Sequence, residues 1–230
     1  MSELYLVRHA QASFGATDYD QLSDLGKKQS RWLGNYFLER GKNFERLIVG
    51  DMRRHHQTLD GICEGMGQSD RSRIVMPGLN EYDFSKMTAN YAKYFPDDPE
   101  LVKLNSDPHD KKQHYRLLRV VLSAWARDNI PEIPETWEQF SGRVQEAREQ
   151  IQSETKVGEK VLAIGSGGSN SAFLGQVLKA PSETVFDLNL QSKNTGISCY
   201  FFNELKISLS SFNMVPHLDN EELSGFVTYG

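Results

Sequence analysis

In Tyr5-Leu6-Val7-Arg8-His9-Ala10-Gln11-Ala12-Ser13, an apolar run that begins at Leu4 and is rich in strand formers stops at an arginine–histidine pair. A buried strand that delivers a cation and an imidazole at its carboxyl end puts them where open α/β sheets bind their ligands. Alone, such a pair more often marks only the polar boundary of a strand. Its meaning rests on whether other strand ends supply partners.

The chain has 230 residues, enough to bury a full core. With 38% hydrophobic and 25% charged residues it has the make-up of an ordinary soluble globular protein. A net charge of -5 argues against non-specific nucleic-acid binding, while leaving room for a local basic pocket that holds an anion. Cys63 and Cys199 are far apart and fit neither a metal nor a redox spacing, so they are expected as reduced, packed thiols. The first residues show no signal-peptide pattern, and no apolar run reaches membrane-spanning length. The expectation is a cytoplasmic protein with no membrane partner.

Ser23 is placed to cap a helix starting at Asp24, with Trp32, Leu33, Tyr36 and Phe37 at helical spacing and Gly41 as the stop. Gly26 weakens that helix unless a close neighbour requires it. Phe44 to Val49 reads as a second strand, followed by a helix from about Arg54 to Glu64 with Leu59, Ile62, Cys63 and Met66 as its stripe. Arg54 then stands at a helix start, where free N–H groups and the helix dipole favour an anion; a pair of solvated surface arginines, Arg53 and Arg54, is the competing view. A third strand is expected over Arg73 to Met76, broken by Pro77-Gly78 and followed by Asn80-Glu81. Glu81 is a candidate acid/base, though a loop glutamate is by default a solvated one.

Five of the eight prolines fall between about 84 and 134, where no strand-like alternation occurs. Tyr115, Leu117, Leu118, Val121, Leu122 and Trp125 form an amphipathic helix there. This region is expected to be a helical cap insertion over one end of the sheet, with His109 and His114 on its surface. Trp137, Phe140, Val144, Ala147 and Ile151 step at helical spacing and mark a helix on the core. Val161 to Ile164 is a buried strand, the turn Gly165-Ser166-Gly167-Gly168-Ser169-Asn170 follows, and helices are expected from about Ser171 and from Pro181. Ile197 to Phe202 and Ile207 to Phe212 read as a hairpin. Strands alternating with helices imply an α/β fold, a three-layer α/β/α sandwich with a mostly parallel central sheet, in one domain spanning residues 1–230.

Two arginines, a histidine and a glycine-rich turn at strand ends suit phosphate. Guanidinium matches phosphate oxygens bidentately, and backbone N–H groups add to the cradle. Phosphoryl transfer needs charge neutralisation, an in-line nucleophile and an acid for the leaving oxygen, and imidazole is a competent nucleophile.

Leu6-Val7-Arg8-His9-Ala10 resembles the Arg-His-Gly signature of the histidine phosphatase (phosphoglycerate mutase-like) superfamily, with alanine for the usual glycine. Leu22-Ser23 with Gly26 and Gln29, Arg54 with Gln57-Thr58, Leu79-Asn80-Glu81, and Phe212-Asn213 to His217-Leu218 resemble its later segments in the same order. The resemblance implies His9 as the phosphorylated nucleophile, Glu81 as general acid/base, and Arg8, Arg54, Ser166 and Gly167 as phosphate binders, with a phosphorylated small molecule or phosphoprotein as substrate. It implies neither metal nor organic cofactor, and no nucleic-acid partner.

Two departures qualify that inheritance. The family's second histidine, in a Ser-His-Gly turn, aligns with Ser166. A serine donates one hydrogen bond but carries no positive charge, and losing such a preorganised group costs about 3–4 kcal/mol, roughly 10²–10³ in rate. His217 falls where the family has a structural histidine. His55 and His56 follow Arg54 and one could face the pocket, but adjacent helical residues point to different faces, and the default keeps both out of the site. The mutases' phosphate-binding asparagine six residues after the nucleophile is Gly15 here, and no Arg-His-Tyr follows the acid, which favours hydrolysis over mutase chemistry. Two alternatives stand beside a slowed phosphatase. One is an inactive phosphate-ligand-binding protein. The other is a serine hydrolase using Ser166, with Asp187 and His217 following in the order of an α/β-hydrolase.

Overall fold

The computed structural model describes residues 1–13, 20–68, 71–108 and 110–229. Six strands form one sheet in the order β3-β2-β4-β1-β5-β6: β1 (Ser2–Arg8), β2 (Arg46–Val49), β3 (Ile74–Val75), β4 (Lys160–Gly165), β5 (Ile197–Phe202) and β6 (Ile207–Met214). β1–β4, β2–β4 and β2–β3 pair in parallel, whereas β1–β5 and β5–β6 are antiparallel. The C-terminal pair is therefore a hairpin laid on one edge of a parallel sheet.

Alternation along the strands builds the layers. On β1, Leu4 and Leu6 face one core together with Ile48, Val161, Ala163, Tyr200 and Phe202. Tyr5 and Val7 face the other, with Leu47, Val49, Leu162, Ile164 and Ile197. Every one of these positions is buried, as strands covered on both faces require. Helices α1 (Asp24–Glu39) and α2 (Arg53–Gly65) cover the second face with Leu33, Phe37, Leu59, Ile62, Cys63 and Met66. Helix α6 (Trp137–Glu154) covers the first with Phe140, Val144, Ala147 and Ile151, beside α7 (Gly167–Leu178) and α8 (Ser182–Leu190). The fold is the expected α/β arrangement of three layers.

Local chemistry explains the helix boundaries. Ser23 Oγ accepts from Gly26 N at 3.0 Å and caps α1, as its position suggested. A Cβ on Gly26 would lie 2.1 Å from the Gln11 carbonyl oxygen, so a close approach of the first loop does require this glycine. Thr136 and Gln139 form a reciprocal capping box at the start of α6. Three further helices, α3 (Phe84–Tyr94), α4 (Pro99–Ser106) and α5 (Lys111–Ala126), occupy the proline-rich region. Their Met87, Tyr91, Leu101, Leu117, Val121, Leu122 and Trp125 join the first core through Tyr82 and Phe140.

Three expectations shift. The third strand is two residues long rather than four. Tyr115, counted in the apolar stripe of α5, is exposed, because the buried face runs through Leu117, Val121 and Trp125. Helix α7 begins at Gly167, four residues earlier than its composition suggested. Ser169 Oγ accepts the Ser166 N–H at 3.1 Å and donates to the Leu79 carbonyl at 2.7 Å, which fixes the glycine turn as a first helical turn instead of a loop. Among the described residues no helix is long and apolar enough to cross a membrane.

Candidate active site

The parallel strands end on one rim of the sheet, and the chemistry foreseen from the sequence gathers there. Arg8 closes β1 opposite Gly165 of β4, and its Nη1 donates to the Ser192 carbonyl. Its guanidinium lies against Gly167, whose added Cβ would stand 3.3 Å from Arg8 Nε. His9 follows at 3% exposure, with Nδ1 2.8 Å from the Ala10 carbonyl oxygen and Nε2 accepting from Arg54 Nε at 3.1 Å. A carbonyl only accepts, so this pattern assigns the proton to Nδ1 and leaves Nε2 as the acceptor, its lone pair engaged by the Arg54 Nε–H. Burial first, then the charges of Arg54 and Arg8 and the nearby His55, hold the His9 pKa well below the ordinary imidazole value; the Ala10 bond works the other way. His9 is therefore neutral at pH 7.

Arg54, in the first turn of α2, is as buried as His9 and also donates from Nη1 to Asp20 Oδ1 at 2.7 Å. Asp20 takes the Arg53 N–H at 2.9 Å as well, so one carboxylate fixes both the helix start and the guanidinium plane. Arg53 itself is exposed, so of the two arginines the inner one faces the site. Thr58 ties the same turn to β1: its hydroxyl donates to the Arg54 carbonyl at 2.7 Å and accepts the Ala10 N–H at 3.0 Å.

Glu81 reaches the rim from the loop after β3 and the 3₁₀ turn Pro77–Leu79. Both of its carboxylate oxygens lie 3.1 Å from Gly168 N, at the amino end of α7. A carboxylate there is favoured by the helix dipole and by an otherwise unsatisfied N–H. Arg143 of α6 holds the loop from behind, donating to the Gly78 carbonyl at 3.0 Å and the Asn80 carbonyl at 2.9 Å while paired with Glu135. Asn80 Oδ1 accepts the Asp51 N–H at 2.7 Å and joins this loop to the end of β2.

His55 overturns the default for the two histidines after Arg54. It is fully buried and faces the site, with Nε2 2.8 Å from Ser166 Oγ and its ring centroid 5.7 Å from that of His9. Burial, then the Arg54 charge and His56, lower its pKa to about 3, against a weaker opposing effect of the Gly50 backbone. A Cβ on Gly50 would fall 2.2 Å from His55 Nδ1, so the end of β2 is shaped around this imidazole.

The hydrolase triad is not assembled. His217 Nε2 is 2.8 Å from Thr195 Oγ1, and Asp187 is ion-paired with Arg119. The imidazole beside Ser166 is His55. His217 instead backs the end of β1, since Thr195 donates its N–H to the Arg8 carbonyl at 3.1 Å and Asn194 Nδ2 donates to the His9 carbonyl at 3.1 Å. Burial lowers the His217 pKa to about 3. His114 lies at the surface, near the Pro108 carbonyl. Gly15 and His109 lie outside the described residues. Among the described residues no cluster of His, Cys, Asp and Glu is arranged to hold a metal ion.

Asp20, Arg143, Asn194 and Thr195 carry no marker that would have singled them out in the sequence, because each acts through backbone or through a residue far away in the chain. Thr58 lay within a quoted motif but without a role.

A profile of the histidine phosphatase superfamily (branch 1) matches residues 4–116 and 105–215. A 2,3-bisphosphoglycerate-dependent phosphoglycerate mutase of Methylorubrum extorquens is 28% identical over 91 residues, 37% of this chain and 43% of the mutase, so the chain spans less than half the length of the curated relatives it matches. Among solved structures, a mutant phosphoserine phosphatase from Entamoeba histolytica in complex with phosphoserine superposes with a TM-score of 0.64 at 18% identity, covering 95% of this chain and all of that one. A phosphoglycerate mutase from Bacillus anthracis superposes with a TM-score of 0.65 at 16% identity, covering 94% of each chain. At such identities the superpositions establish the fold and no more.

Proposed function

This chain belongs to the histidine phosphatase superfamily, and we propose that it hydrolyses phosphomonoesters through a phosphohistidine on His9. In the first step Arg54 Nε–H passes from His9 Nε2 to a phosphoryl oxygen and the freed Nε2 attacks phosphorus. The bond to the leaving oxygen breaks, and Glu81, which enters this step protonated, gives that oxygen its proton. In the second, water attacks the phosphohistidine and Glu81 takes the water's proton, so that inorganic phosphate leaves and His9 is restored. Arg8, Arg54 and the N–H groups at Gly167 and Gly168 neutralise the charge spread over the transferring oxygens.

The observation that carries this reading is the His9 hydrogen-bond pair. Nδ1 bonded to the Ala10 carbonyl and Nε2 held beside the Arg54 guanidinium make a neutral imidazole whose lone pair already sits next to a phosphate-binding cation. Two features favour hydrolysis over mutase chemistry: Gly15 in place of an asparagine, and Tyr82-Asp83-Phe84 following the acid. The helical region 84–134 is assigned to substrate choice because Tyr82, which follows Glu81, packs against its Trp125 with ring centroids 5.1 Å apart. The substrate class is a phosphorylated small molecule or a phosphoprotein, and the compartment proposed is the cytoplasm.

The test is a phosphomonoester panel on the wild type and His9→Ala, with an alkaline quench to trap phosphoenzyme. Turnover with a base-stable phosphoryl group, both lost in His9→Ala, is expected. No turnover above that variant on any ester would instead favour the non-catalytic reading, a phosphate-ligand-binding protein that has lost turnover. That alternative draws on Ser166, a neutral donor where the family places a histidine.

A further inference from the structure

The backbone around His9 is tied to a distant part of the chain that the chemistry above does not use. Residues 226–229 lie against α1, where Phe226 packs on Trp32 with ring centroids 5.3 Å apart, and Tyr229 bridges to Lys193. Phe226 is 40% and Tyr229 49% exposed, so this segment adds little to either core. Its polar contacts lead inward instead. Gln29 Nε2 donates to the Phe226 carbonyl and to Thr228 Oγ1, both at 2.9 Å, while Gln29 Oε1 accepts the Gln11 N–H at 2.9 Å. Thr228 Oγ1 donates to Asn194 Oδ1 at 2.9 Å, and the Thr228 carbonyl accepts the Asn194 N–H at 2.9 Å. Asn194 Nδ2 then meets the His9 carbonyl. We propose that Thr228 is a positioning residue for the His9 imidazole, acting through Gln29 and Asn194. The inference rests on the phosphohistidine reading above.

Two peptide units follow His9. Each is planar, so holding one end of it aims the other. The first carries the His9 carbonyl and the Ala10 N–H, held by Asn194 and by Thr58. The second carries the Ala10 carbonyl and the Gln11 N–H. Gln29 holds that N–H, and so directs the carbonyl that lies 2.8 Å from His9 Nδ1.

Gln29 and Asn194 are buried amides, and each works only one way round, with its oxygen toward a donor and its nitrogen toward an acceptor. The Phe226 carbonyl only accepts, which fixes Gln29 with Nε2 outward and Oε1 on Gln11. Thr228 Oγ1 then accepts from Gln29, and its single proton goes to Asn194 Oδ1, which leaves Asn194 Nδ2 for the His9 carbonyl. Donors thus run in one direction from Gln29 to His9, and the Thr228 hydroxyl is the joint between the two amides.

Thr228→Val keeps the shape of the side chain and removes both hydroxyl bonds. Steady-state kinetics on a phosphomonoester would compare the wild type, Thr228→Val, Thr228→Ser, Gln29→Leu and the double variant Gln29→Leu/Thr228→Val, with melting temperatures as the folding control. Thr228→Val is expected to lower kcat roughly tenfold with KM changed by less than about threefold, because ring direction governs attack more than phosphate binding. Thr228→Ser, which keeps the hydroxyl, should recover most of that loss. The double variant should be no slower than Gln29→Leu alone. In nitrogen NMR of the imidazoles, with the His9 signal assigned from its loss in His9→Ala, the wild type should show a protonated Nδ1 and Thr228→Val a shift toward the other tautomer. An unchanged kcat in Thr228→Val, a serine variant as slow as the valine one, effects that multiply in the double variant, or an unmoved His9 signal would each overturn the inference while leaving phospho-His9 chemistry standing. If Thr228→Val fails to fold, Thr228→Ala with wild-type kcat overturns it equally. Wild type no faster than His9→Ala would remove the phosphohistidine reading and the kinetic claim with it, whereas a moved His9 signal would still uphold Thr228 as the residue that orients the ring.

Discussion

The ends of β1 and β4 lie side by side, Arg8 opposite Gly165, yet the two are stiffened by different means. At β1 the imidazole is part of the strand end, and backbone fixes it: the Ala10 carbonyl orients the ring, while Thr195 and Asn194 take the carbonyls on either side. At β4 the imidazole is borrowed. Ser166 meets a ring that belongs to α2, and its position depends on how that helix rolls against the sheet. One end is precise by covalent neighbourhood and the other by packing. Perturbations of helix packing should therefore reach the β4 side first.

The largest effect should come at the β1 end. His9→Ala removes the proposed nucleophile itself and should lower kcat by roughly 10⁴-fold or more, read against the same ester at saturation. Arg54→Lys comes next and touches both ends. Lysine keeps the charge but has one nitrogen, which cannot meet His9 and Asp20 together, and kcat should fall about 100-fold.

Acid treats both ends alike. His55 and His217 have folded pKa values of about 3, below the 6.5 of a free imidazole. Between those limits the unfolded chain binds more protons, so their stabilising share is complete above pH 6.5 and shrinks as pH falls toward 3. Each histidine should cost about 2 kcal/mol at pH 5 relative to pH 7, roughly 30-fold in the folding equilibrium, with His9 adding in the same direction. Urea unfolding at the two pH values would show it, and His217→Gln should remove that residue's share.

The smallest effect isolates the acid at the β4 end. A Cβ at Gly168→Ala would lie 2.2 Å from Glu81 Oε1 and 2.4 Å from Tyr82 Cε1. Displacing the carboxylate should lower kcat about tenfold for alkyl phosphates, whose leaving oxygen needs a proton, and less for nitrophenyl phosphate, whose leaving group does not.

The frame was legible where local pattern and tertiary demand agree. The alternation of β1, the 3–4 stepping of Phe140, Val144, Ala147 and Ile151, and Ser23 before Asp24 each point to one structure, and the fold adopts it. Arg8, His9, Arg54 and Glu81 were visible because Arg8 ends a strand and the others follow one, and parallel strands gather their carboxyl ends. The start of α7 was hidden by its glycines, which read as loop until a hydrogen bond from Ser169 to the Leu79 carbonyl, ninety residues back, makes the turn helical. His55 was hidden for a different reason. Sequence gives the 100° step between His55 and His56 but not the roll of α2, which is set by Leu59 and Ile62 against the sheet.

Glu81 offers a last consequence. Its carboxylate rests on the Gly168 N–H, the very donor that an incoming phosphate would use. A tethered anion competes there at high effective concentration, whatever the bulk concentration of phosphate. A free inorganic anion must evict it with little to offer in exchange, whereas an ester brings further contacts through its organic part. In its ionised form the proposed acid would thus also discriminate, against free phosphate and in favour of substrates large enough to grip the protein elsewhere.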